Sequence, residues 1–292
     1  MTAASRFEAL RKAVNDRLSL AVQTEWGDIP EPLRGAMAYS LNGGGKRLRP
    51  VLLLAAHELI APWDEAAMRF ACALEMIHTY SLIHDDLPAM DDDTLRRGRP
   101  TCHVVYGEGM AVLAGDGLLS LAMEEMLSVR HPRAFEAAAC VARACGVRGM
   151  VAGQCLDLSH EGEAPTEELV SAIHRGKTAC LLTAPLEAGL ILAGADGEQL
   201  AAGRLFGLDF GLAFQIQDDL LDLTGDEKLL GKHVGKDEAE GKLTWPALKG
   251  PAQARRDMER LTEEACAALE GAFGEKAAFL TGLARESTGR NV

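Results

Sequence analysis

The stretch Ala66-Ala-Met-Arg-Phe-Ala-Cys-Ala-Leu-Glu-Met-Ile-His-Thr-Tyr-Ser-Leu-Ile-His84 decides the fold. It is far longer than an ordinary strand and shows no period-two alternation. Apolar residues occupy almost every side of a 3.6-residue period. A helix that is apolar nearly all round belongs inside a bundle rather than on its surface. Working outward, the same reading extends to Gly109–Val129, Pro132–Leu158, Thr166–Leu192 and Asp196–Leu223. Leu261–Phe273 and Glu275–Arg285 close the chain, and Leu10, Val14, Leu18 and Val22 form a stripe near its start. Breaks fall at Asn42-Gly-Gly-Gly45, Pro62, Gly98-Arg-Pro100, Arg130-His-Pro132, Glu161-Gly-Glu-Ala-Pro165, Gly194 and Gly225. These are turns between helices rather than domain linkers. No period suggests a solenoid. The expected fold class is all-α, a single domain over residues 1–292 with roughly ten helices or more.

Composition narrows the function. The chain has 292 residues, 48% of them apolar, and a formal charge of −13. An acidic chain is a poor nucleic-acid binder, because phosphate contacts need cations to replace counterions. Anionic membrane surfaces repel it for the same reason. Seven cysteines, an odd number without a Cys-x-x-Cys pair, read as reduced thiols. Met1–Leu20 has scattered charges and no apolar signal core, and no uninterrupted apolar run reaches about 18 residues. The expectation is a soluble cytoplasmic protein with no membrane insertion.

Directly after the deciding helix comes Asp85-Asp-Leu-Pro-Ala-Met-Asp-Asp-Asp93, five carboxylates in nine positions. Pro88 cannot donate to the His84 carbonyl, so the helix should stop there. The carboxylates then crowd a helix C-terminus, which is already partly negative. A second acidic stretch is Gln217-Asp-Asp-Leu-Leu-Asp222, where Asp218 and Asp222 share one helix face and repel. Two such clusters beside apolar helices suit Mg²⁺, which takes one or two carboxylates plus water and substrate phosphates. The plainer reading of either run is a solvated acidic turn. No EF-hand loop fits.

Cations lie nearby in sequence. Gly43-Gly-Gly-Lys46-Arg47-Leu48-Arg49-Pro50 is a glycine turn, three cations and a helix start, a weak phosphate signal without P-loop spacing. Arg96-Arg-Gly-Arg99 follows the first acidic run and is placed to hold a phosphate that also meets the metal. His78 lies two turns before Asp85 on one face, and a hydrogen-bonded core histidine is the competing reading. Lys232, Lys236 and Lys242 sit in or beside the glycine-rich stretch Gly225–Gly241, which reads as a mobile loop closing over a site. No Ser-His-Asp or Cys-His arrangement and no dinucleotide-binding fingerprint is visible.

These motifs together resemble the trans-isoprenyl diphosphate synthases, with the bacterial farnesyl diphosphate synthases (geranyltranstransferases) the nearest branch. The resemblance runs from Asn42 to Leu248 and includes Gly176-Lys-Thr178 and Phe214-Gln-Ile-Gln-Asp-Asp-Leu-Leu-Asp222. It implies the isoprenoid synthase fold, a bundle around a central cavity, usually as a homodimer. It implies three Mg²⁺ held by Asp85, Asp91 and Asp218, with Asp86, Asp219 and Asp222 as helpers. Arg96, Lys177, Gln215, Lys232 and Lys242 would surround an allylic diphosphate. Lys46, Arg49, His78 and Arg97 would hold isopentenyl diphosphate, and Thr178 would face the developing cation. The implied reaction is head-to-tail condensation giving farnesyl diphosphate, with a C20 product as the alternative. Tyr80 and Ser81, one turn below Asp85, would set product length. A class I terpene cyclase fits less well, because Leu221 stands where its second motif needs a hydroxyl. A non-catalytic partner subunit would be expected to have lost its Asp motifs, and both are intact here. A metal-binding bundle without turnover is the third alternative.

Overall fold

A computed structural model describes residues 2–224 and 241–289. Helices dominate: α1 (Ala3–Thr24), α2 (Glu31–Leu41), α3 (Leu48–His57), α4 (Glu65–Asp85), α5 (Cys102–Tyr106), α6 (Glu108–Leu127) and α7 (Ala134–Cys145). Then come α8 (Met150–Ser159), α9 (Glu167–His174), a π-turn (Arg175–Ala179), α10 (Cys180–Ala193) and α11 (Gly197–Thr224). The chain continues through α12 (Trp245–Lys249), α13 (Pro251–Phe273), a 3₁₀ turn (Gly274–Ala277) and α14 (Ala278–Thr288). Among the described residues the only strands are β1 (Leu95–Arg96) and β2 (Arg99–Pro100), an antiparallel pair in which Arg96 faces Arg99.

Helix starts follow from the residues before them. Asp64 caps α4 by accepting from the Ala67 N–H at 2.9 Å, and Thr166 caps α9 through Leu169. The expected end of α4 at the proline holds: the helix closes at Asp85, one residue from its Asp86 cap.

α4 is the central element, as its all-round apolarity requires. Fourteen of its 21 residues are buried, and it packs on α3, α6 and α10. Phe70 and Leu74 of α4 join Leu52, Leu53, Phe206 and Phe210 in the main core. Each such side chain contributes about 1.5–3 kcal/mol by leaving water. A smaller cluster built from Val170, Ile173, Leu212, Ile216, Leu220 and Trp245 ties α9, α11, α12 and α13 together. The most apolar window of the Glu167–Ala193 helix is 61% buried against the bundle.

Three expectations need correction. Pro132–Leu158 is two helices, because Gly146 and Gly149 interrupt it. Each glycine costs a helix interior about 1 kcal/mol relative to alanine. α13 begins at Pro251, ten residues before the apolar pattern suggested, with proline at its first position where the missing N–H costs nothing. Thr166–Leu192 is helical throughout but contains the π-turn.

Candidate active site

The inner ends of α3, α4, α8 and α11 and the π-turn enclose a cavity of about 720 Å³. Its lining gathers Lys46, Arg49, His78, Ser81, Asp85, Arg96, Arg97, Lys177, Thr178, Gln215 and Asp218. Residues from the two acidic stretches, more than 130 positions apart in sequence, therefore meet at one place.

The basic side is built on one locked turn. Arg47 has φ +53°, which is uncommon for a residue with a side chain. It is held there by three acceptors: Glu75 Oε1 at 2.7 Å, the Leu41 carbonyl at 2.7 Å and Asn15 Oδ1 at 2.9 Å. Arg47 and Glu75 are both buried. Arg47 is thus a structural cation that fixes the turn, and it lines the cavity together with its neighbours Lys46 and Arg49. Gly45 has φ +123°, and a Cβ there would run into the Arg97 guanidinium, so only glycine fits. Arg97 donates to the Gly44 carbonyl across this contact. Burial pulls Arg49 down to about 10, and its Nε has no partner among the described residues. His78 lies well below its ordinary value, because of burial and then the charges of Arg49, Arg97, Arg96 and Arg47, so its imidazole is neutral. The buried Arg49 Nε is a donor that an anion entering the cavity would satisfy.

The acidic side is arranged differently. Burial pushes the Asp85 carboxyl up to about 6, with Lys177 and Arg96 opposing and Asp91 and Asp86 adding to the shift. Asp85 accepts from the Gln154 amide, and the Asp91 N–H returns to the Asp85 carbonyl at 2.8 Å, curling the loop over the helix end. Lys242 Nζ lies 3.3 Å from Asp91 Oδ1. Asp86, expected among the metal-holding carboxylates, is instead spent on Arg96, 2.6 Å from its Nε, and lines a separate pocket. Burial raises its pKa, and the Arg96 bond works against that. Asp222 is buried and does not line the cavity. Lys232 and Lys236 lie outside the described residues.

Lys177 and Thr178 owe their position to a close helix crossing. A Cβ on Gly153 would meet the Lys177 backbone nitrogen at 2.0 Å, so α8 and the π-turn touch through glycine. The contact brings Lys177 onto Asp157, a buried carboxylate of α8. Burial alone would lower the Lys177 ammonium, and Asp157 outweighs it and holds the pKa above the ordinary value. Sequence reading missed Asp157, Glu75 and His174, whose neighbours are apolar or unremarkable and whose partners lie far along the chain. Tyr80 is buried but does not line the cavity, whereas Ser81 does. The Tyr80 ring meets His84 edge-on at 5.7 Å.

The donor set fits magnesium bound together with a phosphate ligand. Among the described residues, no three Asp, Glu, His or Cys side chains converge closely enough to hold an ion alone. Asp85 and Asp218 nonetheless share the cavity, which is the sparse carboxylate arrangement Mg²⁺ accepts when phosphate oxygens and water complete its shell.

Comparison with known proteins places the chain in a family. The Polyprenyl synthetase family profile matches residues 30–278. Farnesyl diphosphate synthase of Geobacillus stearothermophilus is 44% identical, with 92% of each chain covered. Heterodimeric geranylgeranyl pyrophosphate synthase large subunit 2 of Arabidopsis thaliana is also 44% identical, over 98% of this chain and 76% of the relative. The crystal structure of a FPP/GFPP synthase from Zymomonas mobilis superposes with a TM-score of 0.85 at 35% identity, covering 98% of this chain and 99% of that one. The chain belongs to the Polyprenyl synthetase family of prenyltransferases and has its all-α isoprenoid synthase fold.

Proposed function

We propose that this protein condenses isopentenyl diphosphate head-to-tail with dimethylallyl and then geranyl diphosphate, releasing diphosphate and ending at farnesyl diphosphate. The observation that carries this reading is one cavity with two unlike phosphate-holding sides. Lys46, Arg49 and Arg97 sit beside neutral His78, while Asp85 and Asp218 sit beside Lys177 and Arg96. The first set binds isopentenyl diphosphate directly. The second binds the allylic diphosphate, with Asp91 and Lys242 closing from the loop side. Magnesium, expected as three ions on Asp85, Asp91 and Asp218, would supply the charge that makes diphosphate a good leaving group.

The chain's own groups do the remainder. Arg96 and Lys177 stabilise charge that grows on the departing diphosphate, in a setting where donors need no reorganisation. Thr178 and Gln215 offer oxygen to the allylic cation left behind. The double bond of isopentenyl diphosphate, held by Lys46 and Arg49, attacks that carbon. A proton then leaves to the released diphosphate, and the cavity walls keep water from the cation.

The C15 limit rests on Tyr80, a bulky ring on α4 five residues before Asp85. Its hydroxyl is pushed above the usual phenol range by burial, then by the Cys145 and Asp85 groups. Relatives carry both C15 and C20 names, so product length is the finer test. Incubation with Mg²⁺, labelled isopentenyl diphosphate and geranyl diphosphate, then chromatography of the dephosphorylated product, should give a C15 alcohol. Tyr80→Ala should lengthen the product, and unchanged length would defeat the Tyr80 floor. We also propose one domain over the whole chain and a cytoplasmic homodimer, with exposed Val105, Val112 and Leu113 of α5 and α6 as the apolar contact.

A further inference from the structure

Behind Thr178 and Gln215 the polar chain continues to Asp219, Trp245 and His174, which the reaction scheme above does not use. The Thr178 hydroxyl donates to Gln215 Oε1 at 2.5 Å, and Gln215 Nε2 donates to Asp219 Oδ1 at 2.8 Å. The other oxygen, Asp219 Oδ2, accepts from the Trp245 backbone N–H at 3.0 Å and lies 3.3 Å from His174 Nε2. Asp219 and His174 are both at least nine-tenths buried. Asp219 does not line the main cavity. It lines a separate small pocket with Asp157, His174, Lys177 and Lys242. Its neighbour Asp218, about 100° round the helix, lines the main cavity.

Direction matters in this chain. Asp219 Oδ1 accepts from the Gln215 amide N–H, so the Gln215 carbonyl is the end that faces Thr178. Thr178 has one hydroxyl proton, and it is spent on that carbonyl. Any group meeting the Thr178 hydroxyl from the cavity therefore meets an acceptor. His174 must carry its proton on Nε2 to face Asp219, which leaves Nδ1 as the buried nitrogen without a partner among the described residues.

We propose that Asp219 is a positioning residue rather than a metal ligand, and that it fixes the polarity of the wall facing the cation through Gln215 and Thr178. This rests on the prenyl-transfer reading. Asp219→Asn offers an N–H₂ where Gln215 needs an acceptor. Gln215 would then flip, Thr178 would accept from it, and the hydroxyl proton would point at the cation.

The test compares Asp219→Asn with Asp218→Asn by two readouts. In the first, Mn²⁺ is titrated by electron paramagnetic resonance in the presence of inorganic diphosphate. Asp218→Asn should weaken binding, whereas Asp219→Asn should stay within about twofold of the wild type. In the second, Asp219→Asn should lower kcat on the order of tenfold to a hundredfold, with the magnesium requirement and the KM for isopentenyl diphosphate unmoved. Asp219→Asn added to Thr178→Val should cost nothing further. If Asp219→Asn does not fold, His174→Gln, which keeps an N–H donor, should retain turnover and His174→Leu should lose about tenfold. Weakened Mn²⁺ binding in Asp219→Asn, or equal losses in the two His174 variants, overturns the proposal. A wild-type protein that makes no prenyl product overturns the prenyl-transfer reading itself, so the two failures are distinct.

Discussion

The two sides of the cavity solve opposite problems with the same kinds of residue. On the basic side, one acid, Glu75, is committed to Arg47, and burial, with a smaller push from Arg97, pulls Arg49 down to about 10. On the acidic side, carboxylates pair with cations, Asp86 and Asp93 with Arg96, Asp91 with Lys242 and Asp157 with Lys177. Asp85 is held up to about 6 chiefly by its burial. A surplus of guanidinium suits a bare diphosphate. Carboxylates in a cavity beside phosphate-sized space suit a diphosphate that arrives with metal. The lesson is that the sign of the leftover charge separates two sites that bind the same chemical group.

The contrast can be broken by mutation. Asp85→Ala and Asp218→Ala should leave a folded protein whose turnover falls on the order of 10³-fold or more. Circular dichroism and steady-state rates check this, and near-normal turnover in both would sink the assignment of the acidic side. Glu75→Gln leaves the buried Arg47 charge without its partner and should cost about 3–5 kcal/mol of stability, read by denaturant unfolding. A loss below about 1 kcal/mol would show that the basic turn does not depend on that pair. Arg49→Ala should raise the KM for isopentenyl diphosphate on the order of tenfold to a hundredfold, as loss of a charged hydrogen bond does, without moving the magnesium requirement. If Arg49→Ala and Asp218→Ala shift magnesium dependence alike, the two sides are one site. The smallest effect concerns thiols. Burial pushes Cys72 up to about 12, whereas Cys155 is exposed, so an alkylating agent at neutral pH should label Cys155 well before Cys72.

Legibility in the sequence followed the range of each interaction. The bundle could be read because α4 is apolar on nearly every side, a local property. The acidic stretches could be read because several carboxylates occur together, and they account for eight of the 43 acidic residues behind the net charge. Arg47 looked like a third phosphate cation because its partners, Asn15 and Glu75, are 32 and 28 residues away. Asp157 and His174 were invisible for the same reason. The break between α7 and α8 was hidden by apolar residues that continue on both sides of Gly146 and Gly149. Asp86 looked like a ligand by adjacency, and the geometry of a helix end turned it toward Arg96 instead.

The π-turn has a consequence for how this chain can vary. In an ordinary helix, one added residue swings everything after it by about 100° and would pull a buried stripe out of the core. Here a wide turn at Arg175–Ala179 absorbs the surplus, so Val170 and Ile173 before it and Leu182 and Leu186 after it all keep buried faces. The widened turn presents two consecutive side chains, Lys177 and Thr178, to the cavity. The packing code and the chemical code of this helix are therefore written in different registers. A deletion of one codon at this point would leave the first intact while erasing the second.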